Sequence, residues 1–316
     1  MPLNARLYFV HALSPLHAGT GQGIGAIDLP IARERATHLP YFPGSGVKGA
    51  LRDLCRRDPT YKAKESNIFG PDTNNASDYA GSVILSDLRL LLLPVRSLAG
   101  TFAWVTSPYL LRRLMRDAGD AGQTPPPLPE PPAMSKNEVQ CLTIPNAAIR
   151  LTAGQQTRVY LEDLDLTPRE LTVAEGETHP VAAWAKWLAP LIWPHDQEWQ
   201  TMLPERLCIV PDDVLGFLAA TAIEVIPRIR LEPTAKTVDT GGLWYEEALP
   251  TESVLAGLAA ATEVKATAKE VFDALEALSR DALQLGGKAT IGRGLCRLSF
   301  PAPQSPASPQ KNGQEK

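Results

Sequence analysis

The sequence predicts an α+β fold, and three observations carry that prediction. Segments with strand and helix periodicity interleave along the chain without the regular strand–helix–strand rhythm of a doubly wound sheet. The chain has 316 residues, 44% of them hydrophobic, enough for a sizeable core in one large domain or two small ones. A glycine-rich loop follows the first strand, but Asp28-Leu29-Pro30 comes next instead of a helix. The dinucleotide fingerprint, which Gly21-x-Gly23-x-x-Ala26 formally matches, therefore lacks its context.

Composition narrows the function. The net charge is −4 and the pI about 5.8, so bulk attraction for nucleic acid is excluded and any such binding would need local basic stripes. Cys55, Cys141, Cys208 and Cys296 are far apart and form no CxxC pair, which argues against a zinc ribbon and a disulfide framework. No charged n-region precedes an apolar stretch at the start. The longest apolar run, Leu90–Val95, contains a proline and is too short to span a bilayer. A cytoplasmic protein with no membrane partner is expected.

The elements follow in order. Arg6–Ala12 alternates as a strand. Gly19, Gly21, Gly23 and Gly25 make a mobile loop, and Pro30, Pro40 and Pro43 keep 29–43 out of helix. A helix runs from Ser45 to about Arg57, with Val47, Ala50, Leu51 and Leu54 facing the core. Lys48, Arg52 and Arg56 form a basic ridge roughly 12 Å long on another face. Residues 58–82 read as irregular. Val83–Val95 and Phe102–Val105 are strands, and Ser107-Pro108 starts a helix reaching about Asp117.

The proline-dense segment 119–135 is an extended surface excursion. Val139–Ile144 and Arg158–Leu166 are strand candidates. His179–Trp193 is a helix whose Trp184, Trp187 and Trp193 are packing residues rather than base-stacking platforms. Arg206–Val210 is a strand, and Asp212 caps a helix to about Thr221. Ile223–Leu231 and Lys236–Tyr245 form a hairpin bending near Glu232-Pro233-Thr234, with Arg228 and Arg230 on one face. Val264–Leu283 is the strongest helix, and Ile291–Phe300 returns as a strand. The tail 301–316 is expected to be disordered.

Three segments carry chemistry. The turn Pro43-Gly44-Ser45-Gly46 opens the basic helix, and a helix N-terminus with Lys48 and Arg52 nearby attracts phosphate. A solvated charged face is the alternative. Gly286-Gly287-Lys288 with Gly292-Arg293-Gly294 makes a cationic loop suited to a phosphodiester backbone, or else a tight strand connection; it lacks the features of a Walker A loop. Asp28 is a single carboxylate amid these anion-binding features, placed to hold a metal ion or to take a proton.

The stretch LHAGTGQGIGAIDLPIARERATHLPYFPGSGVKGALR at 16–52, with GGLWYEEALP at 241–250 and LQLGGKATIGRGL at 283–295, resembles the RAMP superfamily of CRISPR proteins. More narrowly it is similar to the repeating backbone subunit of type III-B (Cmr) RNA-guided complexes, which also cuts target RNA. The resemblance implies a ferredoxin-like (RRM-like) core with large insertions, forming one domain over residues 1–300. The proline-rich segment would be an insertion. A hairpin at 228–250 would be a protruding thumb that enters the guide–target duplex.

The resemblance also implies that Asp28 is required for a metal-dependent cut, with a divalent ion such as Mg²⁺, and that His17 is a second catalytic residue. Ser45, Lys48, Arg52, Arg228, Arg230, Tyr245, Glu246, Gly286, Gly287, Lys288 and Arg293 would contact RNA. The implied partners are guide CRISPR RNA, target RNA, further copies stacked head-to-tail, and other complex subunits. A non-catalytic RNA-binding scaffold is the main alternative. A nucleotide-dependent metabolic enzyme is disfavoured by the failed loop contexts.

Overall fold

The computed structural model describes residues 4–19, 27–72, 78–174, 176–232, 234 and 237–302. The expectations for the glycines at 21–25, the bend at Pro233 and the tail beyond Ala302 lie outside the described residues. The class is mixed α+β, as expected.

Strand β1, Asn4–Ala12, is buried on both faces from Leu7 onward. After β2, Tyr41–Phe42, helix α1 spans Gly44–Arg57. It starts at Gly44 because Asp87 accepts that residue's N–H at 2.9 Å. A Cβ there would lie 2.3 Å from the Leu85 carbonyl oxygen. The segment expected to be irregular contains a helical turn at Lys62–Lys64 and the short helix α2, Glu65–Phe69. Buried Ile68 and Phe69 anchor it, and Asp58 turns the chain by accepting from Thr60 and Tyr61.

The single strand expected at 83–95 is two, β3 (Val83–Leu85) and β4 (Leu88–Arg96). Ser86 breaks it. Its hydroxyl accepts the Leu258 N–H at 2.8 Å and its carbonyl accepts the Tyr8 hydroxyl at 2.5 Å. Strand β5, Phe102–Thr106, leads to α3, Pro108–Asp120. Ser107 caps α3 as expected. The helix outlasts Asp117 because the first break is Gly122, at φ +67°. The proline-rich excursion has neither helix nor strand from 123 to 133, yet it is pinned: the Trp184 indole donates to the Pro127 carbonyl at 3.0 Å.

Next come β6 (Gln140–Cys141), β7 (Leu151–Ala153), β8 (Gln156–Leu161) and β9 (Leu164–Pro168). They form a small separate sheet in the order β6-β9-β8-β7. The strand expected at 158–166 turns back at Glu162, which has φ +49°. Helix α4, Pro180–Ile192, buries Trp184, and Trp193 is buried just beyond its end. Helix α5, Gln197–Arg206, was not foreseen; Asp196 caps it.

Strand β10, Leu207–Ile209, precedes α6, Asp212–Thr221. Asp212 is the first residue of α6 and not its cap. Its carboxylate instead accepts the Tyr109 N–H at 2.8 Å, serving the open start of α3. Strands β11 (Glu224–Leu231) and β12 (Val238–Ala248) form the expected antiparallel hairpin, its second arm running on three residues past Tyr245.

Strand β13, Val254–Ala261, was missed; VLAGLAAA has no alternation because both faces are covered. Helix α7 is Ala268–Leu278, shorter than expected, since Thr267 and Glu270 form a capping box at its start. Strand β14, Leu283–Gln284, starts at the last residue of the expected helix. Strand β15, Leu295–Ser299, begins late because a helical turn occupies 289–291.

The main sheet runs β10-β5-β4-β13-β1-β15-β14. β1 is central, antiparallel to both β13 and β15. α1 and α7 pack on each other, and α3 and α4 pack on β1. Among the described residues no helix is long and apolar enough to cross a membrane.

Candidate nucleic-acid interface

The loop at 27–31 lies along β12. Leu29 donates its N–H to the Tyr245 carbonyl at 3.1 Å, and Glu247 donates to the Leu29 carbonyl at 3.0 Å. Between these bonds the Asp28 carboxylate accepts the Tyr245 N–H at 2.8 Å. Asp28 is exposed, and no described cation pairs with it. Its charge therefore faces solvent with one oxygen held.

His17 lies behind this loop and is buried. Its Nδ1 is 2.7 Å from the Glu247 carbonyl oxygen. A carbonyl only accepts, so Nδ1 carries a proton and Nε2 is the ring's other working atom. Gly287 donates to the His17 carbonyl at 3.1 Å. A Cβ on Gly286 would stand 2.3 Å from that oxygen, and a Cβ on Gly19 2.6 Å from Nε2. These two glycines make room for the histidine. Asp28, His17, Tyr245, Gly286 and Gly287 are thus gathered in one place.

Along β12, side chains alternate. Tyr245 is partly exposed, while Glu246 is 5% exposed. Glu246 accepts from the Trp244 indole at 2.8 Å and from Lys288 at 3.0 Å, and lies 3.4 Å from Arg228. Burial opposes its charge, but Trp244 and then Lys288 and Arg228 outweigh that and lower its pKa. Lys288 and Arg228, expected on RNA, both turn inward to this carboxylate.

Two residues that sequence reasoning missed hold the Asp28 loop. Glu247 accepts the Ile31 N–H at 3.0 Å and lies 3.6 Å from Arg33. Burial pulls the pKa of Arg33 down against Glu247's opposing attraction. No local sequence pattern marks this pair, because its members come from distant segments.

The start of α1 adjoins the same surface. The Phe42 ring lies between Gly46 and Gly286, bringing Ser45 close to the 286–288 loop. Lys48 is half-buried; burial, then Arg52, lowers its pKa. Arg52 sits elsewhere on the expected ridge. It pairs with Glu65 and Asp72 and donates to the Gly70 and Pro71 carbonyls at 2.9 and 3.0 Å. Arg56 joins the same two acids. Beyond Lys48 the ridge is internally neutralised, because α2 and the following loop supply acids. Arg230 pairs with Asp239 at 3.0 Å near the far end of the hairpin, and Arg293 lies 3.4 Å from Glu224.

Among the described residues no three His, Cys, Asp or Glu side chains cluster to hold an ion. Glu246 and Glu247 are committed to internal partners, which leaves Asp28 as one carboxylate. Mg²⁺ commonly takes one or two carboxylates and completes its shell with water and substrate phosphate. Asp28 fits that role only as part of a site shared with RNA.

The RAMP superfamily matches residues 9–297. The CRISPR system Cmr endoribonuclease Cmr4 of Pyrococcus furiosus is 32% identical over 308 residues, covering 94% of this chain and 96% of that protein. The CMR subunit Cmr4 of Saccharolobus solfataricus is 24% identical over 93% of this chain and 95% of its own. The crystal structure of oligomeric Cmr4 from Pyrococcus furiosus has a TM-score of 0.67 and 24% identity, covering 94% and 97% of the two chains. On this match, which spans the central sheet, the hairpin and the glycine loop alike, the chain belongs to the RAMP superfamily.

Proposed function

We propose that this chain is the repeating backbone subunit of a type III-B-like RNA-guided complex, and that it cuts the complementary target RNA. One observation carries the catalytic part: Asp28 is an exposed carboxylate without a described cationic partner, oriented by a backbone N–H at the base of a hairpin. The full-length likeness to a Cmr endoribonuclease supports the RNA-cutting role.

The finer reading of the fold has its own support. The order β4-β13-β1-β15, with α1 after β1 and α7 after β13, matches a ferredoxin-like βαββαβ unit. The single-domain reading takes the proline-rich segment as an insertion and the 224–248 hairpin as the thumb. Its exposed Ile229, Leu231, Val238 and Leu243 suit contact with unstacked bases. Copies would stack head-to-tail on a guide RNA, an open heterologous arrangement, alongside other subunits in the cytoplasm.

The cleavage is a transesterification. A ribose 2′-oxygen attacks its own phosphorus, its proton leaves to a base, and the bond from phosphorus to the 5′-oxygen breaks. The products are a 2′,3′-cyclic phosphate and a 5′-hydroxyl. Asp28 accepts the hydroxyl proton, or would hold a divalent ion while solvent water takes that proton. The backbone N–H of Tyr245 holds one carboxylate oxygen and leaves the other free, which favours ligation. The ion, Mg²⁺ by class, would neutralise charge developing on the phosphate. Nε2 of His17 supplies the proton that the 5′-oxygen takes up. Ser45, exposed at the start of α1 beside the 286–288 loop, holds the RNA backbone.

The test uses the complex reconstituted with guide RNA and an end-labelled target, in magnesium or EDTA. Evenly spaced, metal-dependent products that vanish in Asp28→Ala, with target binding retained, are expected. Cleavage persisting in the mutant overturns the assignment. Target binding without cuts by either protein makes the chain a scaffold.

A further inference from the structure

A second concave surface shares no residue with the Asp28 site. It is a groove of about 840 Å³ between the end of α7, the α4–α5 junction and β15. β15 joins the two regions: Leu295 at one end bonds Leu13, close to the His17 segment, and Leu298 and Ser299 at the other line the groove. The volume falls within the roughly 300–1,000 Å³ of small-molecule sites. The floor is apolar, built from Ile192, Trp193, Leu298 and Phe300.

The charges around this floor are unequally committed. Of the three carboxylates, Glu276 pairs with Arg6, Asp273 with Lys269, and Asp196 caps α5 through the Trp199 N–H at 3.2 Å. Arg280, Arg297 and His195 also line the groove, and no described residue pairs with any of them. The two arginines lie on neighbouring segments of the groove wall. β14 pairs with β15 so that Leu283 faces Cys296, which puts Arg297 one step along towards Arg280. Two unpaired guanidinium groups over an apolar floor favour a bidentately held phosphate.

We propose that this groove binds a nucleoside phosphate. Arg280 and Arg297 hold the phosphate and the apolar floor takes the base. The rim carboxylates Asp196 and Asp273 accept hydrogen bonds from ribose hydroxyls or base amino groups. The bounded volume of the groove takes one nucleotide and not a continuous run of phosphodiesters. The ligand is therefore one nucleotide, either free or at the 5′ end of an RNA.

The full-length protein is titrated with AMP, adenosine and inorganic phosphate, following tryptophan emission and binding heat. Two oligoribonucleotides, with and without a 5′-phosphate, are added as competitors. Saturable AMP binding is expected, with adenosine and phosphate each weaker. Arg280→Gln and Arg297→Gln should each weaken AMP on the order of tenfold, and Asp28→Ala should leave it unchanged. Competition by the 5′-phosphorylated oligonucleotide beyond that of AMP makes an RNA end the source; tighter AMP binding makes it a free nucleotide. Absence of saturable binding by both AMP and the phosphorylated oligonucleotide overturns the proposal. So does AMP binding that both arginine variants leave untouched, or that Asp28→Ala abolishes.

Discussion

The Asp28 carboxylate and the Tyr245 backbone N–H meet at 2.8 Å across 217 residues of sequence. This bond ties the position of the acid to the base of the hairpin. It also separates two properties of Asp28, since an amide oxygen can accept the same N–H without carrying charge. Asp28→Asn should keep the loop on β12 and keep target binding, yet lose cleavage as fully as Asp28→Ala. Product gels beside hydrogen exchange at Tyr245 check this. An active Asn variant would remove the carboxylate from the chemistry.

Glu246 should make stability depend on acid. Its pKa is lowered in the fold, so its contribution is complete above the unfolded value of about 4.3 and is lost as pH falls through the folded one. Glu246→Gln should flatten that acid limb. Glu246→Ala, which strands Lys288 and Arg228, should cost about 3 kcal/mol. Melting temperatures read between about pH 6 and pH 3 test both.

Gly286 has φ +71°, and a Cβ there meets the His17 carbonyl. The obstacle is backbone, so the loop itself must move. Gly286→Ala should destabilise by about 2 kcal/mol from strain and clash. It should also weaken cleavage, because His17 shifts with its carbonyl. Denaturant midpoints and cleavage rates measure the two effects.

Thr267 and Glu270 close the start of α7 reciprocally. Thr267→Ala should cost about 1 kcal/mol. In the native protein Lys64, then the Thr267 backbone and side chain, push the Glu270 pKa down to about 2. Carbon-detected NMR titration should find that low value, and find it raised in Thr267→Ala.

Much of the fold was legible because its signals are local. Ser107-Pro108 announces α3, and the stripe from Ala268 to Leu278 announces α7. Strand β13 was not legible: covered on both faces, an alanine-rich run carries no period. The length of α7 was misjudged for the reverse reason, since apolar residues continue past its end into β14. Within the site, Asp28 and the 286–288 turn stood out by residue type, while His17 and the catalytic roles came from the resemblance. The inward turn of Lys288 and Arg228 did not, because the buried acid that attracts them sits on another strand. Arg52 looked free on a helix face; Glu65 and Asp72 lie in a segment with no periodicity to place them.

The neighbours of β1 have a consequence for the birth of the molecule. Strand β1 pairs with residues 254–261 and 296–299, so this part of the main sheet cannot close until residue 299 has left the ribosome. Until then the apolar faces of Leu7 to Ala12 wait for partners, a long-range closure that slows folding and invites aggregation. A nascent chain arrested after Thr221 should engage chaperones that the finished protein releases.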